Sequence, residues 1–139
     1  MIERKDDMNW EHLLSTKRNR ESAGNAQPSA DLRSEFEKDY HRIIGSASFR
    51  RLQDKTQVFP LDKSDFIRTR LTHSLEVSSF AKSLGQNIGE YLLTYRKDQN
   101  FNWKRKEEIC SILQCAGLIH DIGNPPFGHF GEVIIREWF

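Results

Sequence analysis

The chain of 139 residues is nearly neutral, with 21 basic and 20 acidic residues, and 37% of it is hydrophobic. This length predicts one domain with one core, and a net charge of +1 excludes an overall field that would draw the chain to nucleic acid or a membrane surface. No apolar run is long enough to span a bilayer and the first residues lack a signal-peptide core, so we expect a soluble, cytoplasmic protein. Cys110 and Cys115 point in different directions on a predicted helix and are expected to be reduced thiols.

The first 30 residues are predicted to form a partly mobile N-terminal segment ahead of the main domain at 31–139. Residues 9–14 favour a short helix or turn. Residues 15–30 are rich in Ser, Asn, Gly, Pro and charge and show no periodicity, which is typical of a loop. The basic run at 17–20 is either a solvated surface or a lid that becomes ordered on a polyphosphate, and the sequence leaves both open.

The main domain is predicted to begin with a helix that is capped by Ser29 or Asp31 and stopped at Gly45. Its inward-facing residues are expected to be Leu32, Phe36, Tyr40, Ile43 and Ile44. A second short helix is predicted from Ser46 to about Asp54. The β-prone residues that follow predict a short β hairpin or an extended turn near 56–68.

Two longer helices are predicted, the first over about 72–95 and the second over 107–121. Gly85 and Gly89 in the first mark either close packing or the end of the helix. The apolar stripes consist of Val77, Phe80, Ala81, Leu84, Ile88 and Leu92 in the first helix and of Ile109, Ile112, Leu113, Ala116 and Ile119 in the second. Their connection interleaves basic and aromatic residues, as in a solvated loop with two docking rings or in a site for single-stranded nucleic acid.

A histidine lies at each of the two helix ends that antiparallel packing would bring together. His73 begins the first stripe, and His120 with Asp121 ends the second, where Gly123 stops the helix. Two imidazoles and a carboxylate suit a divalent metal, whereas a lone histidine on an apolar face is more often a hydrogen-bonded core residue. If the two helices pack antiparallel, all three side chains come together in an arrangement that can bind a metal.

His129 and Glu132 share one face of a further helix, which is opened by Gly128. The carboxylate can fix the tautomer of the imidazole and raise its pKa, as an acid/base catalyst requires. The alternative is a surface ion pair. We favour the catalytic interpretation, because the turn at 124–126 would fold the pair back over the metal.

Three segments carry a family resemblance: Phe49–Pro60, Arg68–Val77 and His120–Glu132. With the H…HD spacing they resemble the HD superfamily of metal-dependent phosphohydrolases, and within it the deoxynucleoside triphosphate triphosphohydrolases, or dGTPases. The resemblance implies an all-α fold, an HD-domain helical bundle of which residues 31–139 form the N-terminal part. We expect the domain to continue beyond residue 139, because the apolar pattern runs to the last residue and the family takes a fourth metal ligand, an aspartate, from a helix further downstream.

The same resemblance implies hydrolysis of a deoxynucleoside triphosphate (dNTP), most favourably dGTP, to deoxynucleoside and inorganic triphosphate. Mn²⁺ or Mg²⁺ would bind His73, His120 and Asp121, and Asp121 would also orient the attacking water. His129 would act as acid/base at the α-phosphate with Glu132 as its partner. The full-length protein is expected to be a homo-oligomer, and the 139 residues alone are expected to be inactive.

A triphosphate carries about four negative charges, so further cations are needed beside one metal. Arg51 and Lys55 could share a helix face, and Arg68 is also available; the resemblance assigns Arg70 to phosphate and Gln57 to the 3′-hydroxyl of the sugar. Two rival interpretations are an HD phosphodiesterase or nucleotidase, and a non-catalytic regulatory or nucleic-acid-binding HD protein. The motifs around Gln57 and Arg68 argue against the first, and the intact histidines argue against the second.

Overall fold

The computed structural model describes residues 9–18, 31–55, 68–96, 100–125 and 127–139. Every regular element in these ranges is helical, which confirms the all-α prediction. The hairpin or turn predicted near 56–68 lies outside the described residues except for residue 68. The predicted sugar contact Gln57 also lies outside them. Among the helices that are described, none is both long and apolar enough to cross a membrane.

The described ranges contain six α-helices. They are α1 (Trp10–Leu13), α2 (Glu35–Gly45), α3 (Ala47–Arg50) with a 3-10 turn (Arg51–Asp54), α4 (Arg70–Tyr91) with a π-helical turn (Leu92–Arg96), α5 (Trp103–Ile119) and α6 (His129–Trp138). The predicted helices therefore all exist, and the two long ones begin two to four residues earlier than the sequence indicated.

The start of α2 differs from the prediction that Ser29 or Asp31 caps it. Ser34 is the N-cap: its hydroxyl accepts from the Glu37 backbone N–H at 3.1 Å, and the Glu37 carboxylate accepts from the Ser34 N–H at 2.7 Å. This reciprocal capping box satisfies two helix-end donors at once, which a cap further upstream could not do. Leu32 consequently lies before the helix and is fully exposed rather than inward-facing.

The small hydrophobic core lies beneath the C-terminal end of α5. Its buried residues are Phe49, Leu52 and Leu118, and Tyr40, Ile43, Ile44, Leu71 and Ile122 pack against them. Leu118 is completely buried, and Ile122 lies just past the end of the helix. Because these two residues flank His120 and Asp121 in the chain, the core anchors the segment that carries the predicted metal ligands.

The interface between α4 and α5 is built from small residues. Ser74, Ser78, Gly85 and Gly89 are the buried residues of α4. A Cβ at Gly85 would meet Leu113 Cδ1 at 3.1 Å, and one at Gly89 would meet Lys106 Cγ at 2.5 Å. Both glycines are therefore close-packing positions inside a continuous helix, which decides between the two alternatives that the sequence left open.

The prediction that the apolar stripe of α4 is buried is wrong for its large side chains. The side chains of Phe80, Leu84 and Ile88 are 76%, 56% and 44% exposed. The small residues allow the two backbones to approach closely, and the large side chains are left on the adjoining face of α4. His73 lies on that same adjoining face, so the apolar residues extend along α4 from the predicted metal site.

The chain returns from α4 to α5 through a loop anchored by Phe101. Phe101 is 5% exposed and its ring centroid lies 4.9 Å from that of Trp10 in α1, whereas Trp103 is exposed with Lys106 Nζ 4.5 Å from its ring centroid. One of the two predicted docking rings is thus buried. Arg18 pairs with Glu35 and Asp39 of α2 at 3.2 and 2.9 Å, so part of the N-terminal basic run contacts the main domain.

Both cysteines are free thiols, and burial raises the pKa of each above its ordinary value. A raised pKa keeps the unreactive thiol form at neutral pH, in keeping with the expectation of reduced, structural cysteines.

Candidate metal centre

The ends of α4 and α5 bring three of the predicted site residues together. His73 lies in the first turn of α4, which Thr69 caps, and His120 is the C-cap of α5. One ligand atom each from His73, His120 and Asp121 lies within 4.8 Å of the others, and the two imidazole centroids are 5.2 Å apart. Antiparallel packing thus produces the juxtaposition that the two separate motifs suggested, although metal ligation by these atoms stays a prediction.

The tautomer of His120 follows from one hydrogen bond. Its Nδ1 lies 2.7 Å from the Gly117 carbonyl oxygen. A carbonyl can only accept, so Nδ1 carries the proton and donates, and Nε2 is the nitrogen left to bind a metal. Nε2 faces Asp121, 3.8 Å from Oδ2. Fixing of one imidazole nitrogen by a backbone carbonyl is how metal-binding histidines are commonly oriented.

The two oxygens of the Asp121 carboxylate have different surroundings. Oδ1 accepts a hydrogen bond from Asn124 Nδ2 at 2.9 Å and contacts the Arg70 guanidinium at 3.3 Å. Oδ2 is buried and has no hydrogen-bond partner among the described residues. A buried carboxylate oxygen without a donor or cation is costly, on the order of 1–3 kcal/mol or more. This orphaned oxygen, beside two imidazoles, fits a bound cation.

The donor set indicates what kind of cation the cluster can hold. Two imidazole nitrogens and one carboxylate oxygen suit a first-row divalent metal, whereas all-oxygen sets are typical of calcium and magnesium. Three protein ligands leave coordination positions open for water, substrate or a further side chain. The cluster can therefore hold a divalent metal, and its composition does not separate Mn²⁺ from its neighbours.

The hydrogen bond of the predicted acid/base pair is present in the structure. His129 Nδ1 lies 3.1 Å from Glu132 Oε2 at the start of α6. The imidazole is 98% exposed and is not one of the three clustered residues. The turn before α6 places Gly123 and Phe127 in the left-handed region, with φ of 86° and 68°. The structure thus contains the hydrogen-bonded pair, and its position over the metal site stays a prediction.

The predicted phosphate-binding cations are divided between the cluster and the surface. Arg70 is 27% exposed and paired with Asp121, whereas Arg68 is 68% exposed with its Nε 3.5 Å from Glu76. Arg51 and Lys55 are exposed. The Lys55 carbonyl accepts from the Arg70 N–H at 2.8 Å, which ties the end of the 3-10 turn to the start of α4.

Sequence reasoning missed Asn124 and the contact of Arg70 with Asp121. Asn124 follows Asp121 by three residues in a turn, a spacing at which an amide can reach back to a carboxylate. This spacing of three residues could have predicted the contact between Asn124 and Asp121. The turn at 124–126 was interpreted as ending the helix and as folding His129 and Glu132 back, and not as the source of a contact with Asp121.

Comparison with known proteins adds an independent result. The family model described as HD domain matches residues 70–139, which is half of the chain. A deoxyguanosinetriphosphate triphosphohydrolase-like protein of Listeria monocytogenes is 60% identical over 132 residues, or 95% of this chain and 28% of the relative. One from Pseudomonas aeruginosa is 48% identical over 134 residues, with the same two shares. The deoxyguanosinetriphosphate triphosphohydrolase of Salmonella schwarzengrund is 50% identical over 113 residues, 75% of this chain and 21% of the relative.

The chain thus spans less than a third of the length of these curated relatives, but nearly all of it matches the first two. The matched family region begins at Arg70 and includes His73, His120 and Asp121, the three predicted metal ligands. The chain therefore belongs to the HD-domain family.

Proposed function

We propose that the protein hydrolyses deoxynucleoside triphosphates, dGTP foremost, to deoxynucleoside and inorganic triphosphate with a divalent metal at His73, His120 and Asp121. The observation that supports it most is the buried Oδ2 of Asp121, which lies beside two imidazoles and has no hydrogen-bond donor within the described ranges. One relative is named a deoxyguanosinetriphosphate triphosphohydrolase and another a triphosphohydrolase-like protein, and these names suggest which reaction such a site would serve. Their greater length makes the whole activity a proposal rather than a property of these 139 residues.

The cluster would hold Mn²⁺ or Mg²⁺, and its imidazoles favour Mn²⁺. A bound divalent ion supplies polarisation of a phosphoryl oxygen and neutralises part of its charge. His120 offers Nε2 because Gly117 holds the proton on Nδ1, and Asp121 offers Oδ2. The resemblance to the dGTPases suggests that an aspartate from beyond residue 139 completes the set.

Proton delivery is the task we assign to His129. A 5′-alkoxide is a poor leaving group, so cleavage that releases intact triphosphate needs a general acid at the 5′-oxygen. Glu132 accepts from Nδ1 of His129 at 3.1 Å, which leaves Nε2 on the opposite side of the ring to hold or release the proton. The full exposure of this imidazole means that a substrate would approach it from the solvent side.

Recognition of the substrate would fall to the cations and to Gln57. Arg70 would bind phosphate from the start of α4, with Arg68, Arg51 and Lys55 as the further positive charges. Gln57 would bind the 3′-hydroxyl, because one amide can both donate to and accept from a hydroxyl. The homo-oligomer, the cytoplasmic location and binding of single-stranded nucleic acid stay predictions.

Product analysis tests this proposal. Protein expressed from the complete reading frame is incubated with Mn²⁺ and dGTP labelled in both the base and the γ-phosphate. Deoxyguanosine and intact triphosphate are the expected first products, and removal of the metal with a chelator should abolish them. Release of pyrophosphate with dGMP, or turnover that is unchanged in the chelator, would contradict the proposal.

A further inference from the structure

The turn after α5 places the side-chain amide of Asn124 against the carboxylate of Asp121, one of the three predicted metal ligands. Asp121 and Asn124 are three residues apart, and Gly123 between them has a φ of 86°, a left-handed conformation that glycine adopts readily. This reversal brings Asn124 Nδ2 within 2.9 Å of Asp121 Oδ1. The contact therefore depends on the turn and on a side chain to which neither the motifs nor the proposed mechanism assigns a role.

The geometry points to Asn124 as a positioning residue that makes Asp121 a ligand through one oxygen. Asn124 and Arg70 both contact Oδ1, at 2.9 and 3.3 Å, and Oδ2 is left buried with no hydrogen-bond partner in the described part of the chain. Two donors on one oxygen oppose rotation about the Cβ–Cγ bond of the carboxylate. Oδ2 thereby lies 3.8 Å from Nε2 of His120, in the group of ligand atoms that His73 completes. The inference rests on the proposed metal site.

Asn124 is better suited to this task than Arg70 alone. Its amide is neutral, so it donates a hydrogen bond without cancelling the charge that attracts a metal to Asp121. The Arg70 guanidinium makes the longer contact and would also serve a phosphate group under the proposed function. Whenever Arg70 turns to that phosphate, Asn124 is the donor that still holds Oδ1. Outer hydrogen bonds of this kind typically contribute 10-fold to 100-fold to metal affinity.

Metal titration of three proteins tests the inference. Wild type, Asn124→Ala and the control Asn87→Ala, which makes the same change at an exposed position of α4, are expressed from the complete reading frame and stripped of metal. We expect Asn124→Ala to raise the Mn²⁺ Kd by roughly 10-fold to 100-fold with little change in the Tm of the metal-free protein. Asn87→Ala should change neither quantity.

The Co²⁺ absorption spectrum provides a readout that a purely structural role would not alter. Loss of Asn124 frees the carboxylate to rotate and bind through both oxygens, so the visible bands of the Co²⁺ protein should change in position and intensity. Asn124→Gln keeps an amide donor and should bind Mn²⁺ with an intermediate Kd, which provides the measurement if the alanine variant does not fold.

Three outcomes would overturn the inference. If the wild type binds no Mn²⁺, the proposed metal site fails as well. If the wild type binds Mn²⁺ and Asn124→Ala has the same Kd and Co²⁺ spectrum, only the role of Asn124 fails. A lowered Tm of the metal-free protein with an unchanged Kd would show that Asn124 merely closes the turn.

Discussion

Replacement of Gly117 by alanine should destabilise the protein and weaken the metal site together. A Cβ at Gly117 would lie 2.5 Å from Ser78 Cα and 2.7 Å from Ser78 N. These are backbone atoms, so no side-chain rotation can relieve the contact. Carbon atoms pack at about 3.5 Å or more, and α4 and α5 must therefore separate by about 1 Å at this crossing.

Two opposing terms set the size of the effect. Alanine in place of glycine within a helix stabilises by about 1 kcal/mol. Overpacking of a tight interface costs about 1–3 kcal/mol, and here it also lengthens the 2.8 Å hydrogen bond from Ser78 Oγ to the Gln114 carbonyl, worth about 1 kcal/mol. The steric terms exceed the gain in helix propensity, so the net expectation is a loss of about 1–3 kcal/mol in the free energy of unfolding.

Gly117→Ala should also affect metal binding, because the contact between Gly117 and Ser78 lies close in the chain to both histidines. Ser78 follows His73 by five residues and Gly117 precedes His120 by three, so the crossing determines how far apart the two imidazoles lie. A shift of about 1 Å is enough to impair ligation, because metal–nitrogen distances are fixed to about 0.2 Å. We therefore expect Gly117→Ala to raise the Mn²⁺ Kd as well.

Urea unfolding of the metal-free protein, followed by Mn²⁺ titration, measures both effects. Gly45→Ala is the matched control: Gly45 ends α2, and an added Cβ there would meet nothing within 4 Å. The control should be as stable as wild type or slightly more stable. A Gly117→Ala protein with wild-type stability and Kd would refute the reasoning about the crossing.

Three further predictions follow from single residues. Ser78→Ala should lower the free energy of unfolding by about 1 kcal/mol, because it removes the hydrogen bond to the Gln114 carbonyl. Ser74→Ala should leave the free energy of unfolding unchanged, because the buried Ser74 hydroxyl has no hydrogen-bond partner among the described residues. Denaturant unfolding of both variants measures the difference. His129→Ala should lower kcat roughly 10²-fold to 10⁴-fold with substrate affinity largely kept, measured with dGTP, and a near-normal rate would remove His129 from catalysis. Gln57→Ala should weaken discrimination between dNTP and dideoxynucleotide by about 1–3 kcal/mol at unchanged metal content, and equal kinetics with both would contradict it.

The helices and the meeting of His73 with His120 could be predicted because both depend on local patterns. Apolar residues at helical spacing indicated α4 and α5, and Gly123 indicated where α5 stops. Two helices joined by a short connection pack antiparallel, so the first turn of one lies beside the last turn of the other.

The buried face of α4 could not be predicted from the same pattern. Periodicity assigns the core to the largest apolar side chains, here Phe80, Leu84 and Ile88, yet the contact with α5 is made by serines and glycines. Close approach of two backbones favours small residues. A search for large apolar side chains at helical spacing does not identify serine or glycine as buried positions. Asn124 escaped prediction for a related reason, since its contact depends on the backbone conformation of a turn.

The charges at the two facing helix ends would favour binding of a metal and a phosphate side by side under the proposed function. The C-terminal end of α5, at His120, carries the negative pole of its helix dipole, and the N-terminal end of α4, at Arg70, carries a positive pole. Antiparallel packing places these opposite poles next to each other. A cation on Oδ2 of Asp121 would neutralise the carboxylate that now holds Arg70 at 3.3 Å and would release the guanidinium for phosphate. We therefore expect metal and triphosphate to strengthen each other's binding.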